Sequence, residues 1–332
     1  MSLAAALERL GFVQADPIRA PARAQDLILR HRVVDYRADD LERRYQELDV
    51  EEAYFYAYGF MSRTYASLLH PRKARPLGVV ERLILASLGP GERVHPRELE
   101  VRLQRGRTVN AWGGYSSATT RALERLHHRG LVRVAHRAGG VRVYEAVAAA
   151  QSGLPAPVRM ERLALLLCRI FAPEPLVSLR QKVAFVGSRV PRAPEPAKTV
   201  SALLKRGACE SFVVDGATYV RPADALAIAE APDLVRFLAP FDPIVWNRRR
   251  FELLWGWRYR FEAYVPAPKR ALGYYAMPLL WRDDVVGWVN VTATQQGFSV
   301  ERGFAERRPR ERAFAAAFDA EVERMRAFLG LP

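Results

Sequence analysis

Residues 118–146 read ATTRALERLHHRGLVRVAHRAGGVRVYEA, and two periodicities meet in them. Leu123 and Leu126 are spaced as on one face of a helix, so Ala118–Arg129 predicts a helix, with Ser116 and Ser117 as candidate N-caps and Gly130 to end it. The period then changes to two. Val132, Val134, Val141 and Val143 alternate with Arg133, His136 and Arg142, and Ala138-Gly139-Gly140 supplies the turn of a β-hairpin. Upstream, Gly78–Leu88 carries an apolar face (Val79, Val80, Leu83, Ile84, Leu88) and stops at Gly89-Pro90-Gly91. His95–Gln104 is a short second helix with Pro96 in its first turn, where a missing N–H costs nothing. Three helices followed by a hairpin is the order of a winged helix-turn-helix, a fold whose third helix enters the DNA major groove.

The same order recurs on either side. Pro157–Phe171, Leu176–Val186 and Pro196–Arg206 read as three helices, and Cys209–Arg221 as a hairpin about Asp215-Gly216. At the N-terminus come a helix over Leu3–Leu10, a segment with Gln14 and Asp16, a helix to about Val33, Leu41–Leu48, and wing strands in the aromatic stretch Ala53–Phe60. From Leu238 the composition changes. Aromatic residues crowd between Trp246 and Tyr275 among Arg248, Arg249, Arg250, Arg258, Arg260, Lys269 and Arg270, and Arg258–Val265 and Val285–Thr294 alternate as strands before a closing helix over Arg310–Leu329. The fold class expected is α+β: tandem winged helix-turn-helix units with a C-terminal β-rich unit. The divisions fall at 1–73, 74–150, 151–236 and 237–332, and the first unit reads as short.

Composition narrows the function. The 332 residues hold 51 Lys+Arg against 36 Asp+Glu, a net charge of +15, and the isoelectric point is near 10.2. Only five of the bases are Lys, as a GC-rich genome would give. That bias explains Arg over Lys and leaves the excess of bases over acids to be explained by a polyanionic partner. Half the residues are hydrophobic, against intrinsic disorder, and no apolar run reaches the roughly 18 residues of a membrane span. Cys168 and Cys209 have no metal-type neighbours, which excludes a disulfide scaffold and a zinc module. The N-terminal MSLAAALERLGF lacks the features of a signal peptide. A cytoplasmic, nucleoid-associated monomer is expected, with no cofactor, no metal and no membrane partner.

Two stretches resemble a known family. LGFVQADPI at 10–18 and LAPFDPIVWNRRRFELLWGWRYRFEAYVPAPKRALGYYAMPLLW at 238–281 are similar to the YcaQ/AlkZ-type crosslink-repair DNA glycosylases, the winged-helix group also called HTH_42. The likeness covers nearly the whole chain. It implies three tandem winged helices, double-stranded DNA as partner, and hydrolysis of the N-glycosidic bond of N7-alkylated guanine, interstrand crosslinks included. It also implies that Gln14 and Asp16 are the catalytic Gln-x-Asp pair. The chain departs from the family where a His-Glu-Ala segment precedes Phe-Met-Pro-Arg. Here the residues are Tyr56-Ala57-Tyr58-Gly59-Phe60-Met61-Ser62-Arg63. A further helical segment that family members carry before the Gln-x-Asp also finds little room in the 13 residues ahead of Gln14.

The implied chemistry is economical. An N7-alkylated guanine is cationic and leaves readily, so what remains is to deliver water to C1′ and to stabilise an oxocarbenium-like transition state. A carboxylate does both, and a neutral amide orients the water. The i, i+2 spacing puts Gln14 and Asp16 on one face only if the segment is extended, and Pro17 biases Asp16 away from helix. With no Lys near in sequence, a monofunctional enzyme without a Schiff base is expected. By itself a Gln-x-Asp before proline is a common turn element. A crosslinked base cannot be extruded freely, so a deep closed base pocket is not expected.

Basic residues are the DNA-contact candidates. Residues 97–145 hold ten Arg and four Glu, with Arg121, Arg125 and Arg129 at i, i+4, i+8 on one helix face. That face is either a DNA surface or a solvated side. Arg249, Arg250, Lys269 and Arg270 either grip DNA or pack on neighbouring aromatics. Tyr264, Tyr274 and Tyr275 either stack on bases or fill a core. The alternative function class is a non-catalytic winged-helix DNA-binding protein, a regulator or architectural factor. It would prefer one operator and bind as a two-fold dimer, where a glycosylase binds without sequence preference.

Overall fold

The computed structural model describes residues 1–104, 107–109, 115–148, 152–225, 230–294, 297–306 and 308–332, the side chains of 107–109 and 115–116 excepted. The chain mixes helices with small antiparallel sheets. It forms two units. The first comprises Met1–Leu41, Arg169–Pro175 and Phe212–Pro332, and the second Glu42–Cys168 and Leu176–Ser211.

In the second unit the helices Val79–Ser87, Pro96–Leu103 and Ala118–His128 follow the predicted order. Local capping explains their starts. Glu81 accepts the Gly78 N–H at 2.7 Å, His95 Nδ1 accepts the Arg97 N–H at 3.2 Å, and Ser117 Oγ accepts the Thr120 N–H at 3.0 Å. Val132–Ala138 pairs antiparallel with Val141–Ala146, and the short strand Arg93–Val94 joins the far side of Val141–Ala146. Ile84, Val94, Leu99, Leu123, Leu126 and Val132 are each at most 1% exposed and form one core. Burying a side chain of that size contributes roughly 1.5–3 kcal/mol. Gly130 ends the third helix at φ 71°, and a Cβ there would lie 2.8 Å from the His70 ring, so no other residue fits.

Ahead of this bundle, Val50–Tyr54 and Tyr58–Ser62 form a hairpin, close to the strands expected in Ala53–Phe60. The segment read as a helix to Val33 is helical only over Ala24–Leu29. Leu41–Leu48 becomes a helix over Asp40–Arg44 followed by a 3₁₀ turn over Tyr45–Glu47. Beyond the bundle, the helices Ala156–Phe171, Leu176–Gly187 and Pro196–Lys205 and the strands Cys209–Val214 and Ala217–Pro222 lie close to where the sequence puts them. Asp215 and Gly216 both take positive φ, as a tight hairpin turn requires.

The first unit is built on a four-stranded antiparallel meander of Val235–Phe237, Met277–Trp281, Asp284–Thr294 and Gly297–Phe304. Every residue of Met277–Trp281 is buried. The helix Arg312–Leu329 covers the sheet, Phe318 against Phe237 at 5.5 Å and Phe314 against Trp281 at 5.7 Å. Residues 258–265 are not a strand. The period of two does not hold in the structure, where the buried residues Tyr259 and Glu262 stand three apart. Tyr259 is buried and its hydroxyl donates to the Ala276 carbonyl at 2.6 Å. Glu262 is buried and accepts the Ala271 and Leu272 N–H groups. These side-chain bonds take the place of a ladder, and Pro266 opens a 3₁₀ turn over Ala267–Lys269.

Candidate active site

Gln14 and Asp16 lie in the first unit, just past its first helix. That helix, Leu3–Leu10, ends on Gly11 in the left-handed region, which turns the chain into the strand Phe12–Gln14. Phe12 is 1% exposed and stacks on Trp246 at 5.9 Å, anchoring the strand. Residues 15–19 have no regular structure. The segment is thus extended through Gln14 and irregular beyond it, the helix end or loop that the spacing calls for.

Asp16 is fixed twice. Its N–H donates to Gln25 Oε1 at 3.4 Å, and its Oδ1 accepts the Ile18 N–H at 2.9 Å. Burial raises the Asp16 carboxyl above the usual aspartate range, with the Ile18 N–H pulling it partly back. Among the described residues no cation offsets the burial. Gln14 Oε1 is buried and has no hydrogen-bond partner among the described residues. Neighbouring aromatics complete the surroundings. Burial raises the hydroxyls of Tyr264 and Tyr275, and the Asp16 charge raises them further. Phe261 meets Tyr275 at 5.3 Å and Tyr264 at 6.0 Å, both edge-on. Tyr275 is 3% exposed with its hydroxyl unpartnered, whereas Tyr264 is 78% exposed. The tyrosines therefore divide: Tyr275 belongs to the buried wall, and Tyr264 and Tyr274 present rings to solvent.

The basic candidates divide too. On the helix Ala118–His128, Arg125 is exposed and reaches Glu81 at 3.4 Å, Arg129 just beyond the helix donates to the Arg75 carbonyl at 2.7 Å, and Arg121 is half-buried. Arg105 and the side chain of Arg107 lie outside the described residues. Arg249 and Lys269 are exposed. Arg270 donates to the Val265 carbonyl at 2.8 Å and lies over the Tyr274 ring at 5.0 Å. Arg250 differs from the expectation. It is 2% exposed, and its guanidinium donates to the carbonyls of Phe171, Pro243 and Ile244. Its cation braces the chain through these carbonyls, and its remaining nitrogen, Nε, is buried. The residues that sequence reasoning passed over are Gln25 and Glu262, both buried braces with no motif to betray them.

A family model described as DNA glycosylase AlkZ-like matches residues 7–328. The chain belongs to the AlkZ-like DNA glycosylase family. DNA is accordingly its substrate and hydrolysis its general reaction. The AlkZ-like chain departs from its relatives' expected His-Glu-Ala at Tyr56-Ala57-Tyr58, yet an ionisable cluster stands there. Glu52, 2% exposed, accepts Arg137 Nε at 2.7 Å and Nη2 at 2.6 Å, and the Tyr58 hydroxyl donates to it. Arg142 lies 3.3 Å from the same carboxylate and 4.2 Å over the Tyr58 ring. Burial alone would raise the Glu52 carboxyl, but the bonds and charge of Arg137, then Arg142 and Tyr58, hold it below the usual range. Among the described residues no group of three or more His, Cys, Asp or Glu is placed to hold a metal ion. Among them, too, no helix is long and apolar enough to cross a membrane.

Proposed function

We propose that the AlkZ-like chain is a monofunctional DNA glycosylase that releases N7-alkylated guanine, including guanine in interstrand crosslinks. Water adds to C1′, the cationic purine departs as the neutral base, and Asp16 takes the proton the water gives up. Gln14 orients that water. The observation that carries this reading is the pairing of a half-buried, unneutralised Asp16 carboxylate with a buried, unpartnered Gln14 Oε1 two residues before it. A carboxylate that has lost water and has no cation beside it keeps its basicity for the reaction. Its negative charge favours the developing oxocarbenium ion.

The units 74–150 and 151–236 act in this reading as winged helices that hold the duplex. The element order of residues 79–146 supports it, as does the basic face of Arg121, Arg125 and Arg129. Arg249, Lys269 and Arg270 serve as further phosphate contacts from the 237–332 unit. The 1–73 unit delivers the Gln-x-Asp. The deciding experiment measures release of 7-methylguanine from methylated duplex DNA and unhooking of a nitrogen-mustard crosslink. Wild type should release both, while Asp16→Asn and Gln14→Ala should bind the DNA and leave the lesion in place. Undiminished release by Asp16→Asn would remove the carboxylate from the mechanism.

A further inference from the structure

The second unit contains a cavity of about 180 Å³ whose lining includes His70, Arg72, His127, His128, Arg133 and the pair Glu51 and Glu52. A single water needs roughly 10–15 Å³ of such space, so a polyatomic ion fits. Arg72 is 8% exposed. One of its nitrogens donates to the Tyr54 carbonyl, and its Nε has no partner. The nearby arginines are likewise held by carbonyls, Arg159 by those of Leu68 and Pro71 and Arg189 by that of Phe55, with Arg189 also lying over the Phe185 ring at 4.1 Å. Burial, then Arg189 and Arg159, lowers Arg72 to about 9. Among the described residues no carboxylate forms an ion pair with Arg72.

The acids on the lining are already engaged. Glu52 is taken by Arg137, Arg142 and Tyr58, and Glu51 lies 3.8 Å from Arg63 and 3.9 Å from Arg133. His70 is 8% exposed with Nδ1 unpartnered. Burial, followed by Arg72 and its neighbours, holds His70 near 3 and His128 near 4, so both rings are neutral at neutral pH and each keeps one N–H to donate. A buried cation and an open donor with no anion to meet them are unfavourable until one enters. His128 also lines an adjoining groove with Lys73, Arg75, Arg125, Arg129 and Glu124, in which Glu81 faces Arg75 at 3.6 Å and Arg125 at 3.4 Å.

We infer that this cavity is a phosphate-binding site, in which a phosphate group is held by Arg72 with the rings of His70 and His128. The site is separate from Gln14 and Asp16 and does not depend on the lesion chemistry. Calorimetric titration of the full chain with inorganic phosphate tests it. Wild type should bind one phosphate saturably. Arg72→Gln should weaken binding at least about tenfold while Arg72→Lys retains most of it. His128→Gln, at a half-buried position, gives a second reading should Arg72→Gln fold poorly, and should weaken binding several-fold. Competition by duplexes with 5′-phosphate or 5′-hydroxyl ends then finds the source. Displacement by the phosphorylated duplex alone assigns a strand end, by both an internal phosphodiester, and by neither a free anion. The proposal is overturned if wild type shows no saturable phosphate binding. It is equally overturned if the folded Arg72 and His128 variants bind as wild type does.

Discussion

Asp16 and Glu52 are both withdrawn from water, yet the first carboxyl is raised above its ordinary range and the second held below it. The difference lies in what faces each group. Glu52 receives two bonds from Arg137, a nearby Arg142 and the Tyr58 hydroxyl. Asp16 receives one main-chain N–H, and tyrosines flank it. A neutralised acid with its lone pairs occupied is set for holding structure together, and an acid left with its basicity is set for taking a proton. On the proposed mechanism the contrast makes Asp16 a chemical group and Glu52 a structural one, and each half of it can be broken.

The largest effect is expected at Asp16. Asp16→Asn should slow excision about 10²–10⁴-fold, as loss of a general base does, and leave duplex affinity unchanged. The wild-type rate should fall with acid along a limb that sits higher than an ordinary aspartate's, and that limb should be missing in the Asn variant. A rate profile with no such limb would break the comparison on its catalytic side.

Glu52→Gln tests the structural side. It strands Arg137 and Arg142 without their anion, so chemical denaturation should show a loss of about 3–5 kcal/mol. Duplex excision measured well below the melting temperature should change little by comparison. A stable variant with lost excision would reverse the assignment, and make Glu52 the working acid that Tyr56-Ala57-Tyr58 lacks.

Asp26 sharpens the rule, since it is buried, hydrogen-bonded and has no strong cation. Burial leads the causes that push it up to about 6, although Tyr36 donates to it at 2.7 Å and the Asp39 N–H at 3.1 Å. Its folded pKa lies above the unfolded 3.8. The stability it contributes is therefore complete below about 3.8 and is lost as pH rises through about 6. Asp26→Asn keeps an acceptor for both donors and removes that loss. It should gain about 2–3 kcal/mol at pH 7–8 and flatten the stability profile between. Equal stability of variant and wild type at pH 8 would show that hydrogen bonds alone decide such a carboxylate.

How far the sequence shows all this depends on separation along the chain. The helices and hairpin of residues 79–146 are legible because capping residues, periodicity and turn glycines act within a few positions of each other. The Gln-x-Asp is legible as a motif, and Pro17 with the i, i+2 spacing shows in advance that Asp16 does not lie on a helix. What surrounds Asp16 is not legible, because Tyr264 and Tyr275 come from the far end of the chain and only folding joins them to residue 16. Alternation over 258–265 misleads for a related reason. Buried Tyr259 and Glu262, three residues apart, bond to main chain at 276, 271 and 272, partners that the run of residue types does not reveal.

The smallest expected effect distinguishes neighbours that sequence treats alike. Arg249 and Arg250 are adjacent on the helix Arg248–Trp255, whose start Asn247 caps by accepting the Arg250 N–H at 3.2 Å. The rotation of roughly 100° between adjacent helical residues sends Arg249 to solvent and Arg250 toward the converging carbonyls of residues 171, 243 and 244. If Arg249 and Lys269 meet phosphates, Arg249→Ala and Lys269→Ala should each weaken duplex binding evenly across sequences and flatten the dependence of log affinity on log salt by about 0.9. Arg250→Ala should leave that slope alone and lower the melting temperature instead, because three buried carbonyls lose their donor. A salt slope that falls in Arg250→Ala and not in Arg249→Ala would mean that the guanidinium turns outward when DNA binds, and the division between bracing and gripping arginines would have to be redrawn.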